Sequence, residues 1–182
     1  IGEERLNFHE MNVRVNRLTN AILAAGIRKC EKMATVLPNC EELMLLYWAA
    51  AKTGIVIVPS SPLLQASGLT TLLRDSDTVI VFADASFAET LEKIRNDLPN
   101  IQKERWILVG EEKTRSGFQA YADFISEASE GEPPNADLND DDVYNIMYSS
   151  GTTGAPKGIV HTHYVRAIYC THFASAWRMS PE

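Results

Sequence analysis

The sequence predicts an α/β domain with a mainly parallel sheet covered by helices on both faces, and three observations predict it. Short β-branched runs alternate with segments of helical period, the order that builds β-α-β units. One helical segment is apolar almost all round, as befits a helix sandwiched inside a domain. Gly, Pro and N-cap residues punctuate the boundaries of these segments.

Residues 8–25 form the first periodic segment, with Val15, Leu18, Ile22 and Ala25 on one face. Gly26 is placed to end this helix in a left-handed conformation. Residues 33–37 read as a buried strand stopped by Pro38, after which Asn39 and Glu42 form a capping-box pattern. The helix that follows ends at Gly54 and contains the longest apolar run, residues 43–51. A membrane span needs roughly 20 such residues, so this run predicts a buried helix. Residues 55–58 are a strand closed by Pro59, 60–68 a loop, and 69–73 one or two helical turns. Residues 78–82 form the next strand. Ser86 with Glu89 repeats the capping box, and Phe87, Leu91, Ile94 and Leu98 share a helical face. A strand at 105–109 and a helix at 118–128 complete the first part. The organisation expected is strand–helix units over 1–129, an exposed acidic connection at 130–142, a strand and loop at 143–163, and a helix start at 164–182. Trp48 and Trp106 are expected in the core.

Composition narrows partners without naming one. The chain is 45% hydrophobic, 23% charged and carries a formal net charge of -7, so no basic surface advertises nucleic acid or anionic lipid. Cys30, Cys40 and Cys170 form no CxxC pair, which suits reduced thiols in a cytoplasmic protein. No secretory segment opens the sequence at Ile1. His161 and His163 are two apart, which on one strand would share a face. A metal site would need a third ligand that the sequence does not place, so packing is expected of both. A solvated face is expected of 140–142.

Parallel sheets place ligands at loops beyond the carboxyl ends of strands, and one such junction stands out. The strand at 143–148 runs into Ser149-Ser150-Gly151-Thr152-Thr153-Gly154-Ala155-Pro156-Lys157-Gly158, followed by a β-like stretch at 159–163. A polyphosphate requires many donors, little bulk near the backbone, and positive charge. The loop offers four hydroxyls, three glycines and the ammonium of Lys157, with Pro156 stiffening the bend before it. Composition alone leaves phosphate binding and a plain Ser/Thr/Gly linker equally open. The loop is neither GxxxxGK[ST], since Pro156 and Gly158 stand at the wrong places, nor GxGxxG.

Tyr148-Ser149-Ser150-Gly151-Thr152-Thr153-Gly154-Ala155-Pro156-Lys157-Gly158 resembles the phosphate-loop motif of the adenylate-forming superfamily, with Ala155 at the position that varies. Asp141 and Asp142 before the strand, Leu37-Pro38-Asn39, and Gly54 leading into Val58-Pro59 resemble the amino-terminal half of the same family. Cys30 and Glu31 depart from it, standing where a Gly-Asp pair is common, and Ser60-Ser61-Pro62 is unusual wording. The resemblance implies part of the large N-terminal domain of an acyl-CoA synthetase that activates a carboxylic acid, a fatty acid first among the candidates. Such an enzyme uses ATP, Mg2+ and coenzyme A and makes an acyl-adenylate. Ser149, Ser150, Gly151, Thr152, Thr153, Gly154, Pro156, Lys157 and Gly158 would bind the ATP phosphates. No catalytic acid, base or metal ligand is assigned within the chain, and a homodimer is compatible with the resemblance. An aryl-CoA ligase, an amino-acid adenylation domain and a non-catalytic nucleotide-binding module are the alternatives. The remaining pockets and the mobile lid would lie downstream, so the 182 residues alone are expected to be inactive.

Overall fold

The computed structural model describes residues 5–114, 117–149 and 156–179. Among these residues seven strands form a sheet in the order β5-β4-β3-β1-β2-β6-β7, parallel throughout except for β7, which runs antiparallel to β6. In chain order, α1 (Phe8–Ala24) leads to β1 (Lys32–Val36), α2 (Glu41–Thr53), β2 (Val56–Pro59), α3 (Ala66–Asp75) and β3 (Thr78–Asp84). Then follow α4 (Ala88–Ile94), β4 (Trp106–Val109), β5 (Gln119–Ala120), α5 (Tyr121–Ile125), β6 (Val143–Ser149), β7 (Lys157–Thr162) and α6 (His163–Ala176).

The helices cover both faces, as the alternation predicts. Strand β3 shows why: Ile80 and Phe82 point to the side of α1, α2 and α5, while Val81 and Ala83 point to α3 and α4. The first cluster packs Leu18, Ile22, Leu46 and Ile57, and the second packs Leu72, Leu91, Leu108 and Trp106. Burying a side chain of this size stabilises the fold by about 1.5–3 kcal/mol relative to leaving it exposed.

Local chemistry sets the helix ends. The Asn7 side chain accepts from Glu10 N–H while the Glu10 carboxylate accepts from Asn7 N–H, each at 2.9 Å, a reciprocal cap for α1. Gly26 (φ +84°) and Gly54 (φ +68°) take the left-handed conformation just past α1 and α2. Asn39 does not cap α2. The helix starts at Glu41, so Cys40 occupies the cap position and its side chain makes no capping bond. Glu41 and Glu42 instead place negative charge against the first-turn amides. Nor does Ser86 cap α4. Asp84 caps a short 3₁₀ turn (Ala85–Phe87), accepting from Ser86 N–H at 3.0 Å, and α4 begins only at Ala88.

Three further expectations change. Helix α3 is longer than two turns, because Leu69, Leu72 and Leu73 are buried along it. The segment at 118–128 is not one helix: Gln119 and Ala120 pair with Ile107 and Leu108 at the sheet edge, leaving helix only for Tyr121–Ile125. Trp106 is buried as expected, but Trp48 is 49% exposed on α2. The acidic connection is exposed yet tied down. Glu132 takes hydrogen bonds from Asn12 and Lys52 at 2.6 Å each, and Asp142 pairs with Lys29 at 2.6 Å. Asp140 and Asp141 remain exposed.

Candidate functional site

Strand β6 enters the sheet beside β2, with Asn145 opposite Ile57, so its carboxyl end opens on the same side as those of β1 to β4. There the chain turns back into β7. Pairing runs from Val143↔Thr162 to Ser149↔Lys157, which closes the loop with its two ends side by side. Ser149, Pro156, Lys157 and Gly158 are all exposed at this mouth. Ser150, Gly151, Thr152, Thr153 and Gly154 lie outside the described residues. Among the described residues no carboxylate pairs with Lys157.

Gly158 sits where a side chain has no room. A Cβ there would lie 2.9 Å from Ile146 Cγ2 and 3.3 Å from Tyr148 Cζ, across the hairpin. The Tyr148 ring therefore covers Gly158, and its hydroxyl donates to Asp75 Oδ2 at 2.5 Å. Burial, and then the Asp75 hydrogen bond and the charges of Asp75 and Asp77, push the phenol well above its usual range. Tyr148 stays a neutral donor and fixes the hairpin to the end of α3. The motif includes Tyr148, but its partner Asp75 is 73 residues away in sequence and carries no local signal.

The opposite face of the hairpin meets α6. Asn145 is fully buried, its Oδ1 lies 3.1 Å from His161 Nδ1, and its Nδ2 has no protein partner. With the oxygen as acceptor, His161 carries its proton on Nδ1. His161 and His163 do not share a strand face, because β7 ends at Thr162 and His163 opens α6. Thr162 caps that helix, accepting from Val165 N–H at 3.3 Å. His163 packs edge-on against Tyr144, with ring centroids 5.2 Å apart, and its Nε2 is buried without a partner. Burial lowers its pKa despite the opposing charge of Asp142, which keeps the ring neutral near pH 7.

Two cavities flank α6. One of about 630 Å³ is lined by Met147, His161, Arg166, Tyr169 and Phe173. The other, about 820 Å³, lies between α2 and α6. Spacing along the sequence predicts neither, since each joins helix and strand positions that are far apart in the chain. Among the described residues no group of His, Cys, Asp and Glu side chains could hold a metal ion, and no helix is long and apolar enough to cross a membrane.

A family model for AMP-binding enzymes matches residues 1–181. The long-chain-fatty-acid–CoA ligase FadD13 of Mycobacterium tuberculosis is 35% identical over 161 residues, which is 87% of this chain and 30% of that protein. The 4-hydroxybenzoate–CoA/benzoate–CoA ligase of Rhodopseudomonas palustris is 32% identical, over 88% of this chain and 29% of its own length. Among solved structures, the anthranilate CoA ligase in complex with anthranoyl-AMP superposes with a TM-score of 0.82 at 26% identity, over 89% of this chain and 30% of that one.

Proposed function

The chain belongs to the AMP-binding enzyme family, and from that premise we propose that it forms the phosphate-loop part of an ATP-dependent carboxylate–CoA ligase. It spans 30% of the fatty-acid ligase it resembles, so the activity is that of a longer protein. In the reaction a carboxylate oxygen attacks the α-phosphorus of ATP, pyrophosphate leaves, and the thiol of CoA then displaces AMP from the acyl-adenylate.

One observation carries the reading. The hairpin sets Lys157, which pairs with no carboxylate among the described residues, across from Ser149 at the carboxyl end of a parallel strand. Thr152, Thr153 and the backbone amides of residues 150–154 would hold the β- and γ-phosphates, with Lys157 adding charge as pyrophosphate departs. Such a loop works by positioning and by stabilising developing charge, and it needs no acid or base of its own. Gly158 and the Tyr148 ring above it keep the second strand close, so that Pro156 delivers Lys157 to the mouth. Mg2+ would neutralise the polyphosphate when bound. Its ligands are assigned to the longer protein, as are the CoA and carboxylate pockets. A cytoplasmic setting fits the three free cysteines.

The fatty-acid reading is favoured by the 35% identity to a long-chain ligase. An aryl acid is the second reading, favoured by the benzoate and anthranilate ligases. Assaying AMP formation by the full-length protein against a panel of aliphatic and aromatic acids separates them. The phosphate role is tested with Lys157→Ala. Losing a charge-assisted contact of about 1.5–3 kcal/mol raises KM for ATP, or lowers kcat/KM, by roughly 10–100-fold. Unchanged turnover at limiting ATP would overturn the assignment. The 182-residue chain alone is expected to release no pyrophosphate from ATP and a fatty acid.

A further inference from the structure

Asp75 breaks a local rule. It is the last residue of α3 and lies exposed at the helix carboxyl end, where the backbone dipole already presents negative charge. Asp77, two residues on at φ +51°, adds a like charge. Among the described residues no lysine or arginine pairs with Asp75. A residue set against its own helix calls for a compensating role elsewhere. Its partner is the Tyr148 hydroxyl, which donates to Asp75 Oδ2 at 2.5 Å.

Both ends of this bond are firmly held. Leu69, Leu72 and Leu73 bury the inner side of α3. The turn after it is closed by Asp77 N–H donating to Arg74 O at 3.1 Å, and by the Ser76 and Thr78 hydroxyls 2.7 Å apart. At the other end, Tyr148 pairs with Gly158, and the next rung of the ladder is Ser149 with Lys157. The Tyr148 ring lies so close over Gly158 that a Cβ there would be 3.3 Å from Cζ. A shift of this ring therefore displaces the rung beside it, because paired extended strands move together.

We propose that Asp75 is a positioning residue for the nucleotide: through Tyr148 it fixes the rung from which Ser149 and Lys157 face the polyphosphate. The inference rests on the phosphate-loop reading above. Asp75 touches no substrate itself. Its influence is confined to ligands that carry the pyrophosphate group, since only that group meets this rung.

The test compares Asp75→Ala, Asp75→Asn and Tyr148→Phe in the full-length protein by steady-state kinetics. Losing a hydrogen bond of ordinary strength should raise KM for ATP roughly 2- to 10-fold in Asp75→Ala and Tyr148→Phe alike. The inhibition constant of inorganic pyrophosphate should rise by the same factor, while that of AMP and KM for the carboxylic acid stay unchanged. Asp75→Asn keeps an acceptor oxygen and should recover most of the loss. Joining Asp75→Ala to Tyr148→Phe should add nothing, as for two partners of one bond. A merely structural contact would lower the active fraction, cutting kcat for every substrate and leaving each KM in place. That pattern, or an unchanged KM for ATP in Tyr148→Phe, would overturn the inference. Tyr148→Phe keeps the ring over Gly158, so it decides the matter should Asp75→Ala fail to fold. Lys157→Ala in the same assays separates the two readings. A raised KM for ATP in Lys157→Ala but not in Tyr148→Phe sinks the role of Asp75 alone. The reverse sinks the phosphate role of Lys157 alone.

Discussion

Replacing Cys30 with glycine should stabilise the protein. Cys30 is exposed and adopts φ +71°, in a turn closed by Glu31 N–H donating to Arg28 O at 3.1 Å. A side chain in the left-handed region costs about 1–2 kcal/mol, and Cys30→Gly removes that cost. The extra freedom of glycine in the unfolded chain takes back about 0.4–1 kcal/mol. The net gain is about 0.5–1 kcal/mol, or roughly 1–4 °C in Tm for a domain of this size. Cys30→Ser keeps the backbone penalty and should change little, which separates the φ effect from loss of the thiol. Gly54→Ala supplies the opposite sign. At φ +68° its Cβ would lie 2.6 Å from Leu138 Cδ2 and 2.9 Å from Lys29 Cγ, so backbone strain and crowding together should cost about 2–4 kcal/mol. Equilibrium urea unfolding of the three variants measures all of this. A Cys30→Gly midpoint at or below that of the parent, or a Cys30→Ser gain equal to the glycine one, would refute the reasoning.

Other outcomes follow from the same geometry. Trp106→Ala empties the largest fully buried site and should cost about 3–5 kcal/mol in urea unfolding. Gly158→Ala pushes Tyr148 and Ile146 aside, which should cost about 1–3 kcal/mol and raise KM for ATP in steady-state assays of the full-length protein. The carboxyl of Glu132, held by hydrogen bonds from Lys52, Asn12 and Asn16, titrates at about 2 in place of 4.5. A carboxylate with a depressed folded-state pKa stabilises above its unfolded pKa and loses that contribution as pH falls through the folded value. The stability gap between the parent and Glu132→Gln should thus be constant above pH 4.5 and close towards pH 2. Acid titrations of both proteins by circular dichroism check it, and a gap that persists at pH 2 would count against the network.

The sequence by itself determined the class of fold, the succession of strands and helices as far as β4, and the junction to watch. These follow from local rules: apolar period, β-branched runs, a left-handed residue at Gly26, a helix-ending Gly54, and a loop rich in hydroxyls and glycine. The departure at Cys30 was legible too, since the position where the family resemblance implies glycine adopts positive φ. Tertiary structure decided the rest. Sheet-edge pairing made Gln119 and Ala120 a strand, where the residues alone suggest a longer helix. The true start of α2 moved the cap from Asn39 to Cys40. Tyr148 met Asp75, and His161 met Asn145, only because strand order and hairpin register brought them together. Local propensity acts over a few neighbours, whereas side-chain partners are chosen by packing between segments that only the folded sheet makes adjacent.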